Sequence, residues 1–258
     1  MRIRVLGAHN LETRETRHTC FLVDGTAAID AGSLMTGLRP DEFNSLQAIL
    51  LTHRHFDHIR DLPTFGLATM DSCATLDIYG LPQTLEALST HLLDGLLYPN
   101  FNQRPSPEKP RFKLHTITPN KPFSAGGLTA RPVTMPHGAP AVGFVVRDAQ
   151  GRCAAFTGDT GGGLLSLLHD AFRPSLLFVE MTYPNHMESK AKENGHLTPS
   201  LLVRDMEAAR RRGVAIPKIV ATHIGFHYQS DIVSELDKAT RESGTEIIAA
   251  SADMEFDI

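Results

Sequence analysis

The feature that most constrains this chain is the run LLTHRHFDHI at positions 50–59, where three histidines and an aspartate follow an apolar stretch. Such groups do not gather for core stability, because each needs a polar partner when it is buried. They are the side chains that bind divalent metals such as zinc. At this spacing, just past a predicted strand, His53 and His55 can point at one metal, and Asp57 and His58 at a neighbouring one. A chance gathering on a solvated loop is the weaker interpretation.

Strands and helices alternate along the rest of the sequence, which is typical of a layered α/β architecture. Three further residues of metal-binding type each follow a predicted strand and lie next to Gly or Thr, namely His137, Asp159 and His223. The carboxyl ends of strands are where an open site on a sheet recruits loop residues. We therefore expect these side chains to join the histidine run in one site.

Three segments have patterns that predict their local structure. Alternating charged and apolar residues over 2–6 predict a half-buried strand that Gly7 interrupts. Positions 100–111 are rich in proline and polar residues and predict a loop. A second polar loop is predicted between Glu180 and Gly195.

The His-x-His-x-Asp-His pattern, followed in order by His137, by TGDT at 157–160 and by THIG at 222–225, resembles the metallo-β-lactamase fold hydrolases. The resemblance implies an αββα sandwich, in which two mixed β-sheets pack face to face with helices outside, as a single domain over residues 1–258. It also implies two divalent metal ions, with Zn²⁺ as first choice and Mn²⁺ or Fe²⁺ as alternatives. The implied ligands are His53, His55 and His137 for the first metal and Asp57, His58 and His223 for the second, with Asp159 bridging.

Two neighbouring cations favour hydrolysis. At a separation of about 3.5–4 Å they can share a hydroxide and neutralise charge on a carbonyl or phosphoryl oxygen. Asp57, beside His58, could both bind a metal and orient that nucleophile. His55 stands where diiron flavoprotein relatives carry Glu, so a redox role is disfavoured.

The segment 177–199, LFVEMTYPNHMESKAKENGHLTP, resembles the phosphodiesterase branch of the fold, which includes ribonuclease Z-type enzymes and class II cyclic-nucleotide phosphodiesterases. In that branch a Glu supports a His in a Gly-His-x-Thr context. Carried over, Glu180 would orient His196, and His196 would protonate the leaving oxygen or stabilise the phosphorane, a contribution of typically about 10²–10⁴-fold. The alternative is that His196 and Glu180 are ordinary loop residues.

The resemblance favours a 3',5'-cyclic-nucleotide phosphodiesterase. Positions 160–179 are too few for the protruding arm of the transfer-RNA-processing enzymes, and Phe226-His227-Tyr228 stands where those enzymes usually show Arg-Tyr. Asp61 departs from the Gly that commonly closes the first motif, which leaves the substrate open. The alternatives are a ribonuclease Z-like RNA endonuclease, a thioesterase, lactonase or sulfatase of the same fold, and a non-catalytic scaffold.

Composition bears on partners and location. A net charge of −4 and a pI near 6.3 disfavour broad nucleic-acid binding and leave a local basic groove as the alternative. The resemblance implies a small-molecule phosphodiester as the substrate. Cys20, Cys73 and Cys153 are scattered, as in a reducing compartment. The start MRIRVLG reads as a strand rather than a signal, and no window is apolar enough to span a bilayer, so we expect a cytoplasmic protein without membrane contact. The apolar segment 92–101 is a candidate homodimer contact.

Overall fold

The computed structural model describes residues 1–72, 74–169 and 171–258, and its frame is a pair of seven-stranded mixed sheets. The first sheet has the order β16-β1-β2-β3-β4-β5-β8. Its strands are β1 (Arg2–Gly7), β2 (Cys20–Val23), β3 (Ala27–Ile29), β4 (Ala48–Leu50), β5 (Leu76–Gly80), β8 (Phe112–Thr116) and β16 (Glu255–Asp257). A separate two-stranded ribbon pairs β6 (Pro105–Ser106) with β7 (Lys109–Pro110).

The second sheet has the order β15-β14-β13-β12-β11-β10-β9. Its strands are β9 (Phe123–Ala125), β10 (Leu128–Met135), β11 (Ala141–Arg147), β12 (Cys153–Phe156), β13 (Leu176–Glu180), β14 (Lys218–Thr222) and β15 (Ile247–Ala249). The helices are α1 (Leu34–Gly37), α2 (Phe56–Ile59), α3 (Leu62–Ala68), α4 (Pro82–Ala87), α5 (Leu164–Leu168), α6 (Glu188–Asn194), α7 (Pro199–Arg211) and α8 (Gln229–Ser243). A π-helical turn, Leu88–Leu92, extends α4, and 3₁₀ turns lie at Pro40–Ser45, Asn185–Met187 and Phe226–Tyr228.

Three apolar layers hold the sheets and helices together, which confirms the predicted αββα sandwich. The middle layer joins the two sheets, and in it the Phe21 ring lies 5.0 Å from Phe156 and 4.9 Å from Phe178. One outer layer packs α1, α3 and α4 on the first sheet. The other packs α5, α7 and α8 on the second. Because both faces of the sheets are covered, central strands such as β11 and β13 are almost continuously apolar rather than alternating.

The helix α7 shows how local sequence sets an element's bounds. The side chain of Thr198 caps the helix by accepting from the Leu201 amide, and Pro199 occupies the first turn, where a missing N–H costs little. Leu202 and Met206 bury the inner face. The helix ends at Arg211, and Gly213, with φ +72°, turns the chain away just beyond it.

The parallel pairs β3–β4 and β12–β13–β14 point their carboxyl ends towards one edge of the sandwich. Asp30 follows β3, His53 lies just beyond β4, and Asp159 follows β12. Glu180 ends β13, and His223 follows β14 directly. This topology places residues from distant parts of the sequence at one edge, where strand ends present loops to ligands.

Local predictions failed where elements are short or uniformly polar. The predicted loop after Glu180 was wrong, because it contains α6, whose sequence ESKAKEN buries only Ala191 and so lacks an apolar stripe. The predicted loop at 100–111 contains the β6–β7 ribbon. Gly7 belongs to β1, beside an irregularity in the pairing with β2.

Cys20 and Cys153 are buried, and Cys73 lies outside the described residues. None of the helices in the described ranges is both long enough and apolar enough to cross a bilayer.

Asp148 closes the turn between β11 and β12, and its removal is expected to destabilise the fold. Its carboxylate accepts from the backbone amides of Gln150 and Arg152 and from the Arg152 guanidinium. We expect Asp148→Asn to lower the free energy of unfolding at neutral pH by about 1.5–3 kcal/mol, the usual worth of hydrogen bonds to a charged group. Urea unfolding at several pH values measures it.

The pH dependence gives the control. Burial would raise the pKa of Asp148, but the hydrogen bonds and charge of Arg152 lower it below its ordinary value. A depressed pKa adds stability above the unfolded-state value of about 3.9, and this stability is lost as the pH falls through the folded pKa. The difference between wild type and Asp148→Asn should therefore shrink in acid, and an equal difference at neutral and acid pH would contradict this role.

Candidate metal centre

The predicted ligands meet at the edge where the strands end. Among the described residues, three groups of side chains have donor atoms that lie within 4.8 Å of one another and could hold a metal ion. The first group is His53, His55, His137 and Asp159, and the second is Asp57, His58 and His223. These two correspond to the sets that the motif resemblance implied. The third group, Asp159, His196 and His223, overlaps both and brings His196 to the same centre.

Asp159 lies between the two groups and turns one oxygen towards each. Its Oδ2 is 3.5 Å from Nε2 of His53 and 3.9 Å from Nε2 of His137. Its Oδ1 is 3.2 Å from Nε2 of His58 and 3.4 Å from Nε2 of His223. This is the arrangement that a bridging carboxylate requires.

Three buried atoms of the centre lack a hydrogen-bond partner among the described residues and are free to bind a cation. Nε2 of His53, Nε2 of His58 and Oδ1 of Asp159 are buried and have no hydrogen-bond partner within the described part of the chain. Such atoms cost about 1–3 kcal/mol each when left unpaired. Divalent ions at the two groups would bind these atoms, and the mixture of imidazole and carboxylate suits zinc, manganese or iron.

The opposite ring nitrogens are occupied, which fixes how the imidazoles are oriented. Nδ1 of His53 lies 3.0 Å from the Thr52 hydroxyl, and Nδ1 of His58 lies 2.7 Å from Oδ2 of Asp30. Nδ1 of His137 donates to a backbone carbonyl, that of Gly195, at 2.9 Å. Such partners set the tautomer that leaves Nε2 free to bind a metal.

Asp30 supports two of the candidate ligands rather than only closing a turn. It is 1% exposed and accepts from the amide and the hydroxyl of Thr52 as well as from His58. Its φ is +60°, an uncommon value for a residue with a side chain. His223, with φ +51°, shares that conformation. Uncommon backbone angles of this kind cluster at functional sites.

Two local features place the remaining ligands. His55 is the extended residue before α2, and this single turn carries Asp57 and His58 in a geometry that the sequence did not predict. Gly158, with φ +58°, delivers Asp159; a Cβ atom there would lie 2.7 Å from Cβ of Thr52. The TGDT motif therefore needs its glycine.

Asp61, the departure from the common motif, lies outside the groups of candidate ligands. Its Oδ2 accepts from the amide of Met35 at 2.8 Å, and its Oδ1 accepts from the Arg60 guanidinium. Asp61 also precedes α3 directly. In this chain it connects α1 to the end of the first motif.

The electrostatics keep the carboxylates ionised. Burial would raise the pKa of Asp57 and of Asp159, but the neighbouring imidazoles outweigh it and hold both values far below the ordinary range. Burial lowers the pKa of His53 strongly, and the adjacent His58 adds to this. Metal binding requires neutral imidazoles and ionised carboxylates. Burial would lower the pKa of His58 too, but the charges of Asp159 and Asp30 outweigh it and raise that pKa, so a bound metal would displace the His58 proton.

Glu180 and His196 form a buried pair beside the centre. Oε1 of Glu180 accepts from Nδ1 of His196 at 2.7 Å, and Glu180 is 1% exposed. The Glu180 carboxylate also accepts from the amides of Thr160, Thr182 and Leu197 and from the Thr182 hydroxyl. Five hydrogen bonds therefore hold the Glu180 carboxylate at the end of β13.

The pair is charged and close to the candidate ligands. Burial would lower the pKa of His196, but the charge and hydrogen bond of Glu180 raise it to about 9. The His196 ring lies 5.0 Å from that of His137 and 5.8 Å from that of His223. A positioned, protonated imidazole therefore lies at the edge of the metal centre, and its side chain is partly open to the cleft.

The sequence interpretation missed the two threonines that support the ligands. Thr52 contacts His53, and the Thr182 hydroxyl lies 2.9 Å from Nδ1 of His223. Thr52 precedes its histidine directly, which is a usable signal. Thr182 is far in sequence from His223, and only the pairing of β13 with β14 brings them together.

A family model described as the beta-lactamase superfamily domain matches residues 21–224. Among curated relatives, ribonuclease Z of Mycobacterium sp. (strain KMS) is 28% identical over 221 residues, covering 79% of this chain and 73% of that protein. A 3',5'-cyclic-nucleotide phosphodiesterase of Aliivibrio fischeri is 22% identical over 178 residues, covering 62% and 52%. An octanoyltransferase of Porphyromonas gingivalis is 35% identical over 104 residues, but this chain spans only 20% of its length.

Solved structures share the fold over the whole chain. The unliganded yeast PDE1 structure has a TM-score of 0.84 at 17% identity, covering 100% of this chain and 99% of that one. The YhfI protein of Bacillus subtilis, described as having the metallo-beta-lactamase fold, has a TM-score of 0.77 at 19% identity and 99% coverage of both chains. The short form of human tRNase Z has a TM-score of 0.68 at 22% identity, covering 100% and 99%.

Proposed function

The chain belongs to the β-lactamase superfamily as a hydrolase of the metallo-β-lactamase fold, and from this premise we propose that it hydrolyses phosphodiesters at a dinuclear metal centre. The proposed ligands are those of the two groups described above, with Asp159 bridging. The proposed catalytic residues are Asp57, Glu180 and His196. The substrate we propose first is a 3',5'-cyclic nucleotide.

The observation that carries the proposal is the Glu180–His196 pair beside the candidate metal centre. An alkoxide is a poor leaving group, so hydrolysis of an unactivated phosphodiester needs a proton donor close to the leaving oxygen. Glu180 keeps His196 protonated at neutral pH. A thiolate leaves without being protonated, so a thioester needs such a donor less, and the pair therefore favours a phosphodiester over a thioester.

Asp57, His196 and Glu180 have different roles in the proposed reaction. When bound, two divalent cations would acidify a coordinated water and neutralise charge on the phosphoryl oxygens. Asp57, whose Oδ2 lies 3.1 Å from Nε2 of His223, is more open to solvent than Asp159 and is placed to bind a metal and orient the attacking water. His196 donates its proton to the leaving oxygen, and Glu180 keeps the imidazole in the required orientation.

The phosphodiesterase relative and the fold shared with yeast PDE1 support the cyclic nucleotide as first substrate. The short connection from Thr160 to Val179, which contains α5 and most of β13, leaves little room for an RNA-binding arm. The second candidate is a ribonuclease Z-like endonuclease. The observation that favours it is the longer match to ribonuclease Z, which covers 79% of this chain.

A substrate comparison tests the choice. We expect the zinc-loaded protein to hydrolyse cyclic AMP or cyclic GMP, with affinity that depends little on salt. An RNA enzyme would cleave precursor tRNA instead, and the logarithm of its affinity would fall linearly with the logarithm of the salt concentration. Cleavage of precursor tRNA alone would replace the first candidate with the second. Hydrolysis of thioesters, lactones or sulfate esters without any diester would reject both.

A further inference from the structure

The Thr182 hydroxyl lies between Glu180 and the candidate ligand His223. Its oxygen is 2.9 Å from Oε2 of Glu180 and 2.9 Å from Nδ1 of His223. Nδ1 of His196 lies 3.2 Å from the same oxygen but only 2.7 Å from Oε1 of Glu180. All of these groups are buried or nearly so.

The chemistry of the groups fixes the direction of these hydrogen bonds. An ionised carboxylate can only accept, so the Thr182 hydroxyl donates to Glu180. The hydroxyl oxygen is then left as an acceptor, and His223 must donate to it from Nδ1. Nε2 of His223 then faces Oδ2 of Asp57 at 3.1 Å and Oδ1 of Asp159 at 3.4 Å, on the side where a metal would bind. Glu180 therefore orients two imidazoles, His196 directly and His223 through Thr182.

The same arrangement occurs in the other half of the molecule. There the Thr52 hydroxyl donates to Asp30 at 2.9 Å and accepts from Nδ1 of His53 at 3.0 Å. Asp30 also accepts directly from Nδ1 of His58 at 2.7 Å. Each half thus has one carboxylate, one threonine hydroxyl and two imidazoles with nearly equal distances.

The two arrangements occupy equivalent places but use different sequence positions. Each carboxylate stands at the end of one strand and each threonine-linked histidine after its parallel neighbour, in β3–β4 and in β13–β14. Thr52 directly precedes its histidine, whereas Thr182 follows its carboxylate by two residues. The two threonine hydroxyls make the same pair of hydrogen bonds from different backbone positions. This indicates that both halves need the hydrogen bonds themselves rather than a particular sequence motif.

We propose that Thr182 is a positioning residue for the second metal. Its hydroxyl links Glu180, the carboxylate that holds the proton donor His196, to the metal ligand His223. The proposal rests on the proposed metal centre. In the first half both imidazoles held by Asp30 are candidate ligands, whereas in the second half Glu180 serves one ligand and the proton donor. One carboxylate thereby holds the donor and the second metal in fixed relation.

Metal binding to the full-length chain tests this directly. The chelator-treated protein is titrated with Zn²⁺ in competition with a chromophoric chelator, without any substrate. We expect Thr182→Val, which keeps the volume and removes the hydroxyl, to weaken one of the two binding events by about 10–100-fold, the usual effect of losing a partner of a metal ligand. Thr182→Ser, which retains the hydroxyl, should keep most of the wild-type affinity. If the valine variant does not fold, Thr182→Ala provides the same test and should show the same weakening.

The control is Thr222→Val. Thr222 is also buried and adjacent to His223, but its hydroxyl reaches only the Val179 carbonyl at 3.4 Å. Thr222→Val should bind both Zn²⁺ ions with the same affinities as the wild-type protein. Wild-type affinities in Thr182→Val and Thr182→Ala, or equal weakening in valine and serine variants, would overturn the proposal. Failure of the wild-type protein to bind Zn²⁺ would instead reject the proposed function.

Discussion

Replacing His196 with alanine is expected to lower kcat for a cyclic nucleotide by about 10²–10⁴-fold, the usual contribution of a positioned general acid. The metal content should stay the same, because His196 is not among the proposed ligands. The loss should be much smaller for bis(p-nitrophenyl) phosphate, since p-nitrophenolate leaves without being protonated. Steady-state kinetics with both substrates, with metal content measured on each preparation, check this.

His115→Ala is the matched control. His115 pairs with a carboxylate, Asp77, at the same 2.7 Å as His196 with Glu180, but it lies on β8, away from the metal centre. Its removal should leave kcat unchanged for both substrates. Equal losses with the good and the poor leaving group in His196→Ala would contradict the proton-donor role, and so would an unchanged kcat with the cyclic nucleotide.

Replacing Asp159 with asparagine is expected to disable the centre itself. Each carboxylate oxygen faces one group of candidate ligands, at 3.5 Å from His53 Nε2 and 3.2 Å from His58 Nε2. An amide keeps the shape but presents an NH₂ group to one of the two metals. We expect bound metal to fall from two per chain towards one, measured by elemental analysis. The loss of charge stabilisation is worth several kcal/mol, or about 10³-fold or more in kcat/KM.

Asp77→Asn controls for the chemical change, because Asp77 is partly exposed and contacts His115 rather than a candidate ligand. It should retain full metal content and activity. Two tightly bound metals with normal turnover in Asp159→Asn would show that the carboxylate does not bridge.

The sandwich could be predicted because its central strands and long helices carry clear patterns. The apolar runs of β11 and β13 indicate strands covered on both faces, and α7 is bounded by Pro199 and Gly213. Short elements left no such pattern. The single turn of α2 is too brief to show periodicity, and α6 buries only Ala191 and so shows no apolar stripe.

The candidate ligands could be predicted because dense histidine and aspartate at strand ends have few structural uses. Their supporting contacts could not be predicted, because they depend on which strands are neighbours. The link from Glu180 through Thr182 to His223 exists only because β13 pairs with β14 in parallel, with Glu180 opposite Thr222. The φ of +51° at His223 is likewise set by tertiary packing, since nothing in the local sequence demands it.

The measurement that tests the central claim most directly is hydrolysis of bis(p-nitrophenyl) phosphate by protein whose metal content is determined on the same sample. We predict about two divalent metals per chain and saturable hydrolysis, with activity lost on chelation and restored by Zn²⁺ or Mn²⁺. A protein that holds two metals and hydrolyses no phosphodiester would contradict the account.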